Sequence, residues 1–396
     1  MQLKDFMYYP DLGCQLAMIR TYEWSGRKSV AGQQTFIKQV WFIIGAVNLF
    51  YQNLGLVTDL CLAETQEMQL AVLIAQISET CSVLGLTLVG ASYMWMLLHH
   101  RTDIETMLDQ LQQLYSHQRR LYRIEHYYLK SSQLMKYTTI FFLFAYTFYN
   151  SLPVIGLIYN LYADSQHIIY KTQSNTWYPW QLFVTENSMP SFVASYLCQA
   201  VASLSGVAVI MTSQFLLCFF TTQMQMHFDA LAHEFNTLDA RQPDANEQLK
   251  EMIAYHCHLL HIANDINRIF NFMFLSTFAT STIAICLMGF AMVMIDLAAA
   301  FKYSVGLLSF LVFTIFICYN GTQFTTTSDK LMLAAFYNNW YEGDRNYRRM
   351  ILFFIMRSRE SRVLRTYNFT PVSMATYMAM LKFSYQLFTF FRAMIK

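Results

Sequence analysis

Three histidines and a carboxylate crowd one short stretch, "YHCHLLHIANDIN", where His258, His261 and Asp265 recur at the three- and four-residue spacing of one helical face. Imidazole and carboxylate are zinc ligands, but three ligands drawn from a single helix rarely close a tetrahedron. With His256 the cluster reads as a polar surface, and no metal is expected. "HEFNT" at 233–237 lacks the second histidine of an HExxH protease. The sequence also lacks GxSxG, a GxGxxG after a strand, and GxxxxGK[ST]. Neither an enzyme nor a cofactor is indicated. His99 and His100, beside Arg101, read as interface anchors. Two charges stand out instead, Glu79 and Lys382, because each interrupts an apolar run where an ionisable group usually marks a cavity or a pathway. Glu79 fits either such a cavity or the membrane interface.

The elements that must carry these groups are those of a membrane protein. The chain of 396 residues is 55% hydrophobic and only 13% charged, too apolar for an ordinary soluble enzyme. A net charge of +2 without a Lys/Arg block excludes a nucleic-acid partner. The start, "MQLKDFMYYPDLG", lacks the basic region and short apolar core of a cleavable signal, so the N-terminus is expected to be retained. The cysteines are scattered, with no CxxC, and read as small buried hydrophobes.

Windows long and apolar enough to cross a bilayer fall at 39–58, 70–98, 137–162, 191–220, 269–295, 303–324 and 371–391. They exceed the length of a barrel strand and lack its alternation, so they are helices. Lys and Arg concentrate before the first window and after the second, fourth and sixth, whereas the alternate connections carry Lys171 and Lys302. The positive-inside rule then places the N-terminus in the cytoplasm and the C-terminus outside. The commonest seven-helix receptors, which signal through G proteins, run the other way. The sequons at Asn320 and Asn368 fall on the cytoplasmic side, where neither is modified.

Apolar stripes continue past the inner ends of the spans: Ile104, Met107, Leu108, Leu111 and Leu114; Met224, Phe228, Leu231, Phe235 and Leu238; Leu249, Ile253, Leu260, Ala263, Ile266 and Phe270. They predict a helical bundle below the membrane, packed within the chain or against another subunit. "RNYRRMILFFIMRSRE" is too short to span and reads as an amphipathic helix leading to the last span.

Two faces are candidate sites. The outer halves of spans three, four and six combine aromatics with sparse polar groups: Phe144, Thr147, Phe148 and Ser151; Tyr196, Gln199, Ala200 and Ser203; Tyr303 and Leu307. Such a mixture suits a cleft for a small hydrophobic ligand, and suits lipid-facing or core aromatics equally. In the last span Lys382, Gln386, Thr389 or Phe390, and Ala393 share a face. That face avoids lipid. It packs on a neighbouring helix of the same chain, or it lines a watery path built from several subunits.

Four stretches carry a resemblance. "YPWQLFVTENSMPSFVASYLCQ", "YHCHLLHIANDIN", "AAFYNNWYEGDRNYRRMILFFIMRSRE" and "LKFSYQLFTFFR" resemble, in that order and over nearly the whole chain, the insect odorant receptor family. Related gustatory receptors end in Thr-Tyr, five apolar residues and Gln-Phe, whereas here Thr376-Tyr377 is followed by four and then Lys382-Phe383. That favours the odorant branch over a gustatory-type channel. The co-receptor's long insertion between helices four and five is missing, so the resemblance is to an odorant-specific subunit. It implies an all-α membrane protein with seven transmembrane helices extended into a cytoplasmic anchor bundle. Residues 1–330 would hold six spans and an outer ligand pocket, and 331–396 the connecting helix and the pore-lining seventh helix. It further implies a ligand-gated nonselective cation channel, a heterotetramer with odorant co-receptor subunits, opened by a volatile organic ligand in the dendritic plasma membrane of an olfactory neuron. The pore constriction carries over to Phe390 and Met394, with Gln386 and Lys382 deeper. Phe390 is bulkier than the branched aliphatic residue usual there.

Overall fold

The computed structural model describes residues 2–27, 36–62, 70–115, 122–163, 170–183, 188–294, 297–367 and 369–395. The side chains of Glu79 and Met394, and the whole of Asn368, lie outside the described residues. The chain is almost entirely helical: α1 (Tyr8–Leu16), α2 (Phe36–Leu62), α3 (Leu70–His99), α4 (Arg101–Tyr115), α5 (Ile124–Ala163), α6 (Met189–Thr237), α7 (Ala245–Met294), α8 (Leu297–Tyr337), α9 (Arg345–Ser358) and α10 (Met374–Ile395). A two-stranded hairpin, β1 (Arg365–Thr366) with β2 (Thr370–Pro371), precedes α10. Among the described residues six helices, α2, α3 and α5 to α8, have stretches long and apolar enough to cross a membrane. At 22 residues α10 is long enough too, but its apolar run is interrupted by Lys382, Gln386 and Arg392.

The helix α6 is the axis of the fold. From Ala208 to Phe228 every residue is buried. A helix buried on all sides needs partners on all sides, and α6 packs on α8, α1, α2, α5 and α3. Its internal polar groups are matched: Thr212 Oγ1 donates to the Ala208 carbonyl at 2.7 Å, Gln214 Nε2 to the Phe313 carbonyl at 3.2 Å, and Tyr115 Oη to Gln223 Oε1 at 2.7 Å.

At the inner end the stripes meet. Ile104, Met107, Leu108 and Leu111 of α4, Phe228, Leu231 and Phe235 of α6, and Leu249, Ile266 and Phe270 of α7 lie in one continuous core. The N-terminal segment seals it: Leu3, Phe6 and Met7 are buried, and Gly13 of α1 presses on Thr212, where a side chain would collide with that residue's Oγ1 at 2.7 Å. Asp344 caps α9, its Oδ1 accepting from Tyr347 N at 2.7 Å, and this bond holds its carboxyl below the usual range. Tyr347, Ile351, Phe354 and Ser358 turn inward, leaving Leu352, Phe353 and Met356 exposed. As expected from its length, α9 does not span.

Candidate functional site: an outer cavity and the exposed face of the last helix

A cavity of about 200 Å³ opens in the outer halves of α2, α3, α5, α6, α7 and α8. Its wall is mainly apolar, with Leu49, Val83, Leu86, Phe142, Ile210, Met288, Phe310 and Phe313, and carries a few polar groups. Apolar enclosure with a small number of polar groups is the usual construction of a small-molecule site. Helix spacing builds the wall: Phe142, Ala145, Tyr146, Tyr149 and Asn150 recur at three and four residues along α5. Gly306 allows the closest approach, since a Cβ there would lie 2.6 Å from Tyr149 Oη and 2.9 Å from the Met288 methyl.

The loop at 170–183 folds down over the cavity. Ser174, Thr176 and Tyr178 are buried, although they belong to a connection. Gln199 of α6 fastens it: its Oε1 accepts from Gln173 N at 3.0 Å, and its Nε2 donates to the Ser174 carbonyl at 2.9 Å and Thr172 Oγ1 at 3.3 Å. Gln52 of α2 donates to Tyr178 Oη at 2.6 Å and accepts from Thr176 Oγ1 at 3.2 Å. Tyr178 also stacks on Tyr51 and Trp180. A second hollow, of about 360 Å³, lies on the outer side and shares Tyr149, Gln173 and Lys302 with the first.

Of the residues expected in the cleft, Gln199, Ser203 and Tyr303 line this cavity. The others stand elsewhere. Phe144, Thr147, Phe148 and Ser151 lie two residues off the α5 lining, roughly 200° around the helix. Phe144 is 52% exposed, and Phe148 stacks on it and meets Phe301 edge-on, a strip on the outer surface of the bundle. Tyr196 spends its hydroxyl on the Asn150 carbonyl at 3.0 Å. Ala200 is half-buried beside the lining, and Leu307 packs on the apolar cluster shared by α7, α8 and α10. The difference is one of face: lipid tails are as apolar as a protein cavity, so hydropathy cannot separate the two sides of a membrane helix. The wall residues contributed by α2, α3 and the loop were missed. Gln52 and Asn150, amides within apolar runs, were the available signal.

The last helix buries one face only. Tyr377, Met380 and Ser384 turn toward α7 and α8, and Ser384 Oγ donates to the Thr282 carbonyl at 3.0 Å. Lys382, Gln386, Thr389 and Phe390 are exposed on the single chain, Phe390 to 59%. The start of α10 is pinned to α8 at the Asn320-Gly321-Thr322 sequon. Thr322 Oγ1 accepts from Met374 N at 2.8 Å, and the Val372 carbonyl occupies the space a Gly321 side chain would need. Asn320 itself is buried in α8. The cavity and this helix share a wall: Met288 and Phe310 line the former and pack in one cluster with Tyr377 and Met380 of α10.

The histidine cluster divides. His256 is buried against Phe354 with ring centroids 4.8 Å apart, whereas His261 points outward with its Nδ1 3.8 Å from Asp265. Among the described residues no group of three His, Cys, Asp or Glu is placed to hold a metal.

The chain was compared with known proteins. The 7tm odorant receptor family model matches residues 73–385. Putative odorant receptor 69a of Drosophila melanogaster is 42% identical in isoform B and 38% in isoform A, each over 100% of both chains. The olfactory receptor OR5 of Machilis hrabei superposes with a TM-score of 0.81 at 14% identity over 98% of both chains, and its complex with eugenol with 0.78. A family match over most of the length, a close relative over all of it and the same helical fold agree: the chain belongs to the insect odorant receptor family, on its odorant-specific branch and not that of the co-receptor.

Proposed function

We propose that this chain is the odorant-tuning subunit of a ligand-gated, nonselective cation channel, assembled with co-receptor subunits into a heterotetramer in the dendritic plasma membrane of an olfactory neuron. A small volatile organic molecule occupies the outer cavity, as a neighbour of the same fold is complexed with eugenol. The observation that carries the reading is the shared wall, Met288 and Phe310, between that cavity and the last helix. A ligand pressing on these side chains feels a different environment in each arrangement of α10. It shifts the closed–open balance by that difference in affinity alone, and moving 1:99 to 99:1 takes about 5.5 kcal/mol. In the assembly the exposed face of α10 lines the pore, with Lys382 and Gln386 at depth and Phe390 and Met394 toward the outer constriction. Polar groups on that face then meet water instead of lipid. Residues 331–396 supply the connecting helix and the gate, and the exposed edge of α9 lies against neighbouring subunits.

The test is expression with and without a co-receptor, recording odorant-evoked current while G-protein signalling is blocked. Current that persists under the block and requires both chains is expected. A response that disappears with the G protein refutes the channel.

A further inference from the structure

Almost every polar side chain of the cavity wall already has a hydrogen-bond partner, and the exception identifies the kind of ligand it takes. Each lining amide is tied into the wall: Gln52 to Tyr178 and Thr176, Asn150 Nδ2 to the Tyr146 carbonyl at 2.8 Å, Gln173 Nε2 to Asn150 Oδ1 at 2.6 Å, and Gln199 to the loop. The hydroxyls are spent as well. Ser82 donates to the Ser78 carbonyl at 2.7 Å, Thr87 to Asn53 Oδ1 at 2.8 Å, Ser203 to the Ala200 carbonyl at 3.0 Å, and Ser309 to the Val305 carbonyl at 2.8 Å. Tyr149 donates to the Lys302 carbonyl at 2.9 Å, Lys302 Nζ donates to the Gln173 carbonyl at 3.3 Å, Ser174 pairs with Thr176, and Tyr303 has a partner of its own. Tyr146 differs. It lines the cavity on α5, between Phe142 and Tyr149, and among the described residues its hydroxyl makes no hydrogen bond.

We infer that Tyr146 is the specificity-determining residue of this cavity, its phenol donating to the single oxygen of a small, otherwise apolar ligand such as an aliphatic ketone, aldehyde or alcohol. This rests on the reading of the cavity as the odorant site. An oxygen leaving water for an apolar enclosure must be hydrogen-bonded there or be penalised. The unspent phenol meets that need once. A ligand with several polar groups leaves the rest unmatched, because the remaining wall groups already serve one another. A hydrocarbon of the same length fills the space equally well but leaves the phenol unpaired.

The experiment uses the full chain with its co-receptor and a matched medium-chain series: a methyl ketone, the primary alcohol and the terminal alkene of equal carbon number. For Tyr146→Phe, which removes one oxygen and keeps the ring, the effective concentrations of the oxygenated compounds are expected to rise about three- to tenfold relative to the alkene. A variant that shifts all three equally, or shifts none, overturns the proposal, since lost packing alone does not discriminate among them. Ser203→Phe, which places a ring inside the cavity, separates the two readings when its surface expression is normal. Loss of all three responses in that variant, with Tyr146→Phe silent, sinks the role of Tyr146 and keeps the site. Responses intact in Ser203→Phe sink the site and the inference together.

Discussion

Replacing Gln199 by leucine tests whether the loop at 170–183 is a latched cover. The substitution conserves volume but removes the acceptor of Gln173 N at 3.0 Å and the donor to the Ser174 carbonyl at 2.9 Å. Gln173 N is then unsatisfied while the loop is down and regains water when it lifts, whereas the Ser174 carbonyl keeps its bond from Thr172 Oγ1 at 2.9 Å and loses one donor of two. At about 1–3 kcal/mol for the unsatisfied N–H and about 0.5–1.5 kcal/mol for the lost bond to the carbonyl, the closed loop loses roughly 1.5–4.5 kcal/mol relative to the open one. Since about 1.4 kcal/mol is a factor of ten, the open population rises by roughly tenfold or more. The assay is the modification rate of a cysteine introduced as Ser174→Cys, a position only 6% exposed, by a membrane-impermeant thiol reagent on intact cells. The chain without the introduced cysteine corrects for the exposed Cys61. At least a tenfold faster reaction is expected in the Gln199→Leu background. Gln199→Glu retains an acceptor for Gln173 N and loses the two donor bonds, so its rate falls between. A rate within twofold of the parent, in a protein that reaches the surface normally, refutes the latch.

Three other outcomes follow from the packing of α10. Gly321→Ala pushes the Val372 carbonyl away and breaks the bond between Met374 N and Thr322; overpacking of this kind costs about 1–3 kcal/mol, read as lower thermal stability in detergent and altered basal current, and a neutral variant refutes the contact. Phe310→Leu, at a position 3% exposed, costs less than about 1.5 kcal/mol of stability but lowers the maximal odorant current relative to that from a co-receptor agonist. An unchanged ratio removes Phe310 from the coupling path. Substitutions of Gln386 and Phe390, both exposed on the single chain, change relative ion permeability, and unchanged permeability places these residues outside the pore.

The legible parts of this protein were those where one physical signal has one meaning. Beyond the inner ends of the spans water surrounds the helices, so an apolar stripe must be a buried face, and Ile104, Met107, Leu108 and Leu111 are buried as their spacing predicts. The same rule separated α9, amphipathic and short, from a span. Inside the bilayer that inference fails. Phe144 and Tyr146 are two residues apart and both aromatic, yet one lies on the outer surface and the other on the cavity wall. The readable polar exceptions, Gln52 and Asn150, are invisible to a search for aromatic clusters.

Composition, span lengths and apolar periodicity were enough to determine a seven-helix membrane protein and its helical bundle beyond the spans, because each depends on a solvent boundary that a linear pattern records. Which side of each buried helix meets ligand, lipid or another helix was decided only in three dimensions. There Gln199 both lines the cavity and fastens a loop, Tyr146 keeps its hydroxyl unspent, and Met288 and Phe310 join a cavity to the last helix. These roles depend on which side chains meet across long sequence separations in a uniformly apolar medium, and no local periodicity encodes that.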